Sequence, residues 1–197
     1  MFIYVGGVPA VGKTSIIKAV EELAYKQGVS IERTVGTDIM CELAGVSTVD
    51  ELRRLPEKTR REFRPEMNRR IYEQDRLDPL TIRVCDGHFC FLDVKGEEYG
   101  ERQIQPWDKE QMKAFVLVLA NPQTILQRRV GDGTERPDRQ RDLEFVKREQ
   151  RLEVRIATHQ AQELAIPMGF LTNGCERIIA EQAKRLLSLI GQWVVFH

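Results

Sequence analysis

The chain has 197 residues, 42% of them hydrophobic, and its 30 Lys and Arg residues balance 30 Asp and Glu residues. This length and apolar content suffice for the core of one ordinary domain, and the zero net charge excludes a general attraction to nucleic acid or to an anionic membrane. No apolar run is long enough to cross a bilayer, and no basic, signal-like segment precedes the first apolar run, which predicts a cytoplasmic protein. The four cysteines (Cys41, Cys85, Cys90 and Cys175) form no C-x-x-C pair, so we expect reduced thiols and no zinc site.

The first elements of the chain surround a glycine-rich loop. The segment Gly7–Thr14 matches G-x-x-x-x-G-K-[ST] at every fixed position. A short apolar run rich in β-forming residues, Phe2–Val5, precedes it and predicts a buried strand. Apolar residues at helical spacing follow it, among them Ile16, Val20 and Leu23. A glycine-rich turn that merely precedes a helix is the alternative, but the order of strand, loop and helix favours a P-loop.

The residue types of this loop predict a nucleoside triphosphate with Mg²⁺. Glycines let backbone N–H groups converge on a phosphate, and the following helix adds its positive end. Lys13 supplies a charge to the β- and γ-phosphates, and Thr14 supplies a hydroxyl to Mg²⁺. The residues predicted to bind the nucleotide here are Gly7, Val8, Pro9, Ala10, Val11, Gly12, Lys13, Thr14 and Ser15.

Strands and helices then alternate to the end of the chain. The pattern predicts strands over Ser30–Val35, Leu80–Asp86, Ala114–Ala120 and Ile166–Thr172. Helices are predicted over 36–44, after the Thr48/Glu51 capping box, from Pro56 to about residue 77, from Asn121 to Gly131, over 142–164 and after Gly174. Residues 89–94 are expected to be extended and Lys95-Gly96-Glu97 to form a turn. This alternation predicts an α/β fold with a parallel sheet between two layers of helices.

Polar residues at strand ends mark one common cleft. Asp38, Asp86 and Asn173 each follow a predicted strand, and ligands of parallel sheets bind beyond the carboxyl ends of the strands. Asp86 is the best candidate for a Mg²⁺ ligand beside Thr14, because a carboxylate at a strand end can reach the metal. A capping role for Asp86 before Gly87 is the alternative.

The sequence favours phosphoryl transfer over hydrolysis. No N-K-x-D guanine signature is present, which argues against a GTPase. AAA-type and ABC-type ATPases usually place a water-polarising Glu after the strand-end Asp, whereas here Gly87 follows Asp86. A site without a water activator suits a kinase, in which hydrolysis is the side reaction to suppress.

An arginine cluster between 128 and 141 supports the same interpretation. Arginine forks can stabilise the charge that develops on a transferring phosphoryl group and can be carried on a mobile segment. The alternative is a solvated helix end whose arginines pair with neighbouring acids. The residues predicted to be catalytic are Lys13, Arg129, Arg139 and Arg141.

Together these motifs resemble the nucleoside monophosphate kinase family, and in particular archaeal-type adenylate kinases, along nearly the whole chain. The matching segments are Gly6–Thr14, Val46–Pro56, Asp86-Gly87-His88, Arg128-Arg129 with Arg139–Asp142, and Asn173-Gly174. The resemblance implies one P-loop kinase domain over 1–197, a three-layer sandwich whose five-stranded parallel sheet has the order 2-3-1-4-5. It further implies an acceptor-binding insertion at about 36–78, a short arginine lid without zinc at about 128–142, and an adenine contact at Asn173.

The resemblance also bears on the acceptor and on assembly. Arg53 or Arg54 is expected to reach the acceptor phosphate, and the acceptor-binding set is Asp38, Arg53, Arg54 and Asp86. The segment Asp93–Trp107 departs from the Gly-Tyr-Leu-Pro-Gly-Leu-Pro-like stretch of the archaeal enzymes. Those relatives are often trimers, so a homotrimer is one assembly that the resemblance leaves open.

Three functions follow from these observations. The leading hypothesis is ATP-dependent phosphorylation of a nucleoside monophosphate, AMP, whose ionised phosphate needs no catalytic base. The second is a kinase of a nucleoside or another small hydroxyl compound, with Asp38 or Asp86 as the base. The third is a nucleotide-binding regulatory ATPase.

Overall fold

The computed structural model describes residues 1–92, 98–99, 112–132 and 140–194. In chain order its strands are β1 (Phe2–Gly6), β2 (Ile31–Thr34), β3 (Ile82–Asp86), β4 (Phe91–Leu92), β5 (Glu98–Tyr99), β6 (Met112–Leu119) and β7 (Met168–Thr172). The helices are α1 (Lys13–Lys26), α2 (Gly36–Ala44), α3 (Val49–Arg54), α4 (Glu57–Leu77), α5 (Pro122–Gly131), α6 (Leu143–Leu164) and α7 (Ile179–Val194). A short 3₁₀ turn at Glu176–Ile178 precedes α7.

Five strands form one parallel sheet. Its order is β2-β3-β1-β6-β7, which is 2-3-1-4-5 when these five strands are numbered alone, so the expected topology is confirmed. β4 and β5 form a separate antiparallel pair of two residues each, and β4 lies within the stretch expected to be extended. The predicted turn at 95–97 lies outside the described residues.

Helices cover both faces of the sheet, as the alternating pattern predicts. On one face, strand residues such as Ile3 and Val116 pack with α1 and α7 residues such as Ile17 and Leu186. On the other face, α4 and α6 pack on an aromatic-rich layer that includes Phe115. Strands buried on both faces explain the continuous apolar runs in the sequence. No helix in the described part of the chain is long and apolar enough to span a membrane.

Side-chain caps begin three of the seven helices in the described ranges, α3, α5 and α6. Thr48 and Glu51 form the expected capping box at α3, and Asn121 caps α5 with Pro122 in the first turn. Pro56, which was expected inside the helix, instead occupies the N-cap of α4. The third strand also starts later than predicted: Leu80 is 88% exposed, because pairing with the β2 edge begins only at Ile82.

Candidate active site at the glycine loop

The loop between β1 and α1 needs glycine at two positions. Gly7 has φ 147° and Gly12 has φ 94°, and a Cβ would lie 2.6 Å from the Val118 carbonyl oxygen at the first position and 2.0 Å from Asn173 Nδ2 at the second. Ala10 also has a positive φ, 67°, where glycine is the usual residue. The sequence pattern places no demand on that position, so this strained residue was not predicted.

Lys13 and Thr14 are the first two residues of α1, directly after this loop. The Lys13 ammonium group is buried and donates a 2.5 Å hydrogen bond to the Gly7 carbonyl oxygen. Thr14 Oγ1 donates to Asp86 Oδ2 over 2.9 Å. The structure therefore joins the loop to the end of β3, as the strand-end argument predicts. Ser15 follows on the exposed side of the helix.

Thr14 and Asp86 fit the Mg²⁺ that the P-loop pattern implies. Both offer hard oxygen atoms, the donors that Mg²⁺ prefers, and the two oxygens are already within hydrogen-bonding distance. No group of three or more His, Cys, Asp or Glu residues in the described ranges could hold a metal ion. A Mg²⁺ at this position would therefore take most of its ligands from water and phosphate, as Mg²⁺ usually does.

Arg33 of β2 is a member of this site that sequence reasoning missed. Its Nε and Nη2 donate to Asp86 Oδ2 over 3.1 and 2.9 Å. The Arg33 guanidinium is therefore paired with Asp86 beside the Thr14 hydroxyl. The signal lies in the strand register: β2 runs parallel to β3 with Arg33 opposite Val84, two residues before Asp86. That register is not readable from one sequence.

Asn173 closes the opposite side of the loop. Its side-chain amide is buried and donates to the Val11 carbonyl oxygen over 3.0 Å, and its Oδ1 is buried with no hydrogen-bond partner in the described structure. Arg128 Nη1 donates to the same Val11 oxygen over 2.9 Å, and its Nη2 donates to the Asn173 carbonyl over 3.4 Å. These contacts place Asn173 next to the glycine loop, and its contact with adenine stays a prediction.

Arg129 lies in the protein interior, with 1% of its surface exposed. Its guanidinium donates to the Pro9 carbonyl oxygen from Nε and Nη2, to the Gln140 carbonyl from Nη1, and to Glu149 over 2.5 Å from Nη2. These contacts fix the loop to α6 and to the segment entering it. A direct contact between Arg129 and a phosphoryl group stays a prediction, and the observed contacts favour a bracing role.

Glu153 of α6 is a second buried acid that the sequence did not indicate. It is 1% exposed and accepts a 2.8 Å hydrogen bond from the Phe89 backbone N–H. Burial raises the pKa of Glu153 to about 8, against the opposing charge of Lys13. His88 Nδ1 lies 3.5 Å from Glu153 Oε1, so this carboxyl group holds the segment that directly follows Asp86 and Gly87.

The other predicted residues lie farther from the loop or outside the described structure. Asp38 is exposed in the first turn of α2, and Arg54 is exposed at the end of α3. Neither makes a hydrogen bond or ion pair with the glycine loop in the described structure. Arg53 lies on α3, and its side chain is not described. Arg141 is exposed just before α6, and Arg139 lies outside the described residues.

Comparisons with known proteins agree with this geometry. A family model described as an AAA domain matches residues 6–147. An adenylate kinase of Methanopyrus kandleri is 30% identical, over 95% of this chain and 93% of its own length. Adenylate kinases of Methanocaldococcus jannaschii and Methanococcus aeolicus are 30% and 28% identical, covering 70% and 90% of this chain and 70% and 87% of their own lengths.

Solved structures share the fold at low identity. Shikimate kinase from Bacteroides thetaiotaomicron superposes with a TM-score of 0.60 at 16% identity, covering 97% of this chain and 98% of its own. The Aquifex aeolicus shikimate kinase gives 0.59 at 17% identity, covering 98% of both chains. At this identity the likeness shows the fold alone.

Fold and loop geometry define the class, a P-loop kinase. Within that class, the chain belongs to the P-loop nucleoside monophosphate kinase family, and it resembles the archaeal-type adenylate kinases of that family. The family description names an AAA domain, but β3 ends at Asp86 with Gly87 next, so the water-polarising Glu of AAA-type ATPases is missing.

Proposed function

We propose that this chain transfers the γ-phosphoryl group of ATP to a nucleoside monophosphate, AMP. The proposal depends on one contact: Thr14 Oγ1, next to Lys13 at the end of the glycine loop, donates a 2.9 Å hydrogen bond to Asp86 Oδ2. The arrangement supports the proposal because the glycine loop, the Lys13 cation and two Mg²⁺-compatible oxygens lie together at the carboxyl ends of β1 and β3. The adenylate kinase relatives, which align with most of the chain, support AMP as the acceptor.

The chemistry requires positioning and charge rather than a base. An oxygen of the acceptor phosphate attacks the γ-phosphorus, and the bond from that phosphorus to the β–γ bridging oxygen breaks. The acceptor oxygen is already ionised, so no proton has to be removed, and AMP with ATP gives two ADP. When bound, Mg²⁺ would neutralise charge on the β- and γ-phosphate oxygens.

The residues of the chain divide this work by position. Lys13 exchanges its contact with the Gly7 carbonyl for phosphate oxygens, and loop N–H groups with the α1 N-terminus bind the β-phosphate. Arg139 and Arg141, in the lid at about 128–142, supply charge to the transferring group. Asp38, Arg53 and Arg54 belong to the acceptor insertion at about 36–78. Asn173 borders the adenine.

The test is ADP formation from Mg-ATP with a panel of acceptors: AMP, CMP, UMP, GMP, dTMP and the matching nucleosides. We expect AMP to stimulate ADP formation far above the background without acceptor. Lys13→Ala should lower the stimulated rate by about a thousandfold or more, because a transition-state charge is lost. Lys18→Ala, an exposed lysine on the same helix, is the matched control.

Two results would overturn the proposal. Stimulation by a nucleoside and by no monophosphate would move the chemistry to a hydroxyl, with Asp38 and Asp86 as candidate bases. ATP binding without stimulation by any acceptor would favour a regulatory ATPase.

A further inference from the structure

The ion pair between Arg33 and Asp86 leaves one atom of each side chain open. The Arg33 contacts use Nε and Nη2, and all three hydrogen bonds to Asp86 converge on Oδ2. In the part of the chain that is described, Arg33 Nη1 and Asp86 Oδ1 have no hydrogen-bond partner. Neither atom is among the buried atoms that lack a partner, so both are in reach of solvent.

The open atoms differ in what they can bind. Nη1 carries two N–H donors on a permanent cation, a group suited to a phosphate oxygen. Oδ1 is an anionic acceptor, suited to a water molecule on a cation. Because the two shared hydrogen bonds fix the plane of the guanidinium, Nη1 is held in one orientation rather than left on a mobile chain.

The position of Arg33 is on the acceptor side of the sheet. β2 lies at the sheet edge beyond β3, and α2 begins at Gly36, directly after β2. The Arg33 side chain is 26% exposed and reaches from this edge to Asp86, which is hydrogen-bonded to Thr14 at the head of α1. Its guanidinium thus lies between the glycine loop and the start of the acceptor insertion.

We propose that Arg33 binds the phosphate group of the acceptor, with Asp86 holding its guanidinium in position. The inference rests on the proposed function and adds to it the residue that recognises the anionic end of the acceptor. It explains why a cation is paired with a carboxylate that the chain also needs beside Thr14. A residue that only balanced the charge of Asp86 would have no need of an open, solvent-facing donor edge.

The test compares Arg33→Ala and Arg33→Lys with wild type. Rates are measured with AMP varied at saturating Mg-ATP, and with ATP varied at saturating AMP. We expect Arg33→Ala to raise KM for AMP roughly ten- to a hundredfold, the range of a lost charged hydrogen bond, while KM for ATP stays within about twofold. Arg33→Lys keeps a cation for Asp86 but loses the planar fork, so its KM for AMP should lie between the two.

Binding of AMP in the absence of ATP, measured by calorimetry, supplies a readout that does not depend on turnover. Its Kd should rise by a similar factor in Arg33→Ala and stay unchanged in Arg151→Ala, an exposed arginine of α6 outside the acceptor insertion. Wild type that phosphorylates no monophosphate would refute the proposed function. An active wild type with an unchanged KM for AMP in Arg33→Ala, or with equal losses for ATP and AMP, would refute the role of Arg33.

Discussion

The two sides of the cleft are built from different kinds of contact. On the side of the glycine loop, Arg129, Asn173 and Glu149 are buried and bound to the loop or to each other. On the proposed acceptor side, α4 carries exposed ion pairs: Arg69, 55% exposed, pairs with Glu66 over 2.6 Å on the same helix. Buried charged contacts are costly to break, whereas exposed pairs contribute little.

This difference suggests how the molecule divides its tasks. The donor side is held by buried contacts of Arg129, which form only when the loop, α5 and α6 meet as they do. The acceptor side attaches to the rest of the protein through fewer buried residues, such as Met40 of α2, Leu52 of α3 and Ile71 of α4. Under the proposed function, ATP would meet a preformed site and the acceptor helices would carry the specificity.

The largest expected effect comes from removing the buried cation on the donor side. Arg129→Ala should lower the free energy of unfolding by about 3–5 kcal/mol, because the buried Glu149 loses the guanidinium that donates to it over 2.5 Å. The double variant Arg129→Ala/Glu149→Ala should recover part of this loss, since the buried carboxylate is removed together with the cation. Urea denaturation measures both variants.

Arg69→Ala is the matched control on the acceptor side and should unfold at nearly the wild-type urea concentration. If Arg129→Ala lowered the free energy of unfolding as little as the control does, the contrast between the two sides would be wrong. A double variant less stable than Arg129→Ala alone would contradict the ion-pair explanation.

A second prediction concerns catalysis rather than stability. Arg139→Ala or Arg141→Ala should lower kcat about ten- to a hundredfold with little change in ATP affinity, because the lost contacts belong to the transition state. Steady-state rates with a parallel measurement of ATP binding separate the two effects. Arg151→Ala, an exposed position on α6, is the control. Equal, small effects on both quantities would mean that these arginines are only solvated.

The smallest effect is a dependence of stability on pH at Glu153. Its pKa is raised to about 8 in the folded state, above the ordinary value of 4.5, so the folded protein retains a proton that the unfolded chain loses. The contribution of Glu153 to the free energy of unfolding should therefore be greatest below about pH 4.5 and should fall as the pH rises toward 8. Among the described residues, the titratable groups that face this carboxyl are Lys13, Glu149, Tyr4 and His88, and the backbone N–H groups of Phe89 and Cys90 donate to it.

The measurement is the free energy of unfolding of wild type minus that of Glu153→Gln at several pH values. We expect the wild type to lose about 1 kcal/mol or more relative to the variant between pH 5 and pH 8. Glu144→Gln, at an exposed acid of the same helix, should show no such trend. A difference that grows in favour of the wild type as pH rises would contradict a raised pKa.

Local signals in the sequence predict the donor side well. The glycine loop and the helix caps depend on neighbours within a few positions, and both are found in the structure. The sheet order, which the family resemblance suggested, is found as well. Contacts between distant residues are not readable in this way. Arg33 and Asp86 are 53 positions apart, and Arg129 and Pro9 are 120 apart.

The buried contacts that the sequence does not indicate share this physical reason. A charged residue in a sequence is first assigned to the surface, because burial of an isolated charge is expensive. Arg129 and Glu153 are buried because partners from other elements meet them: Pro9 and Glu149 in one case, and the Phe89 backbone in the other. Such partners can be named only once the strand register and the helix packing are known.

The most direct test of the account is the product balance of the reaction with AMP. ATP labelled at the γ-phosphate is incubated with Mg²⁺, AMP and the protein, and ADP and inorganic phosphate are quantified together. The account predicts two ADP for each ATP consumed, with the label in ADP and almost none in inorganic phosphate. One ADP and one labelled inorganic phosphate for each ATP, unchanged by AMP, would contradict it.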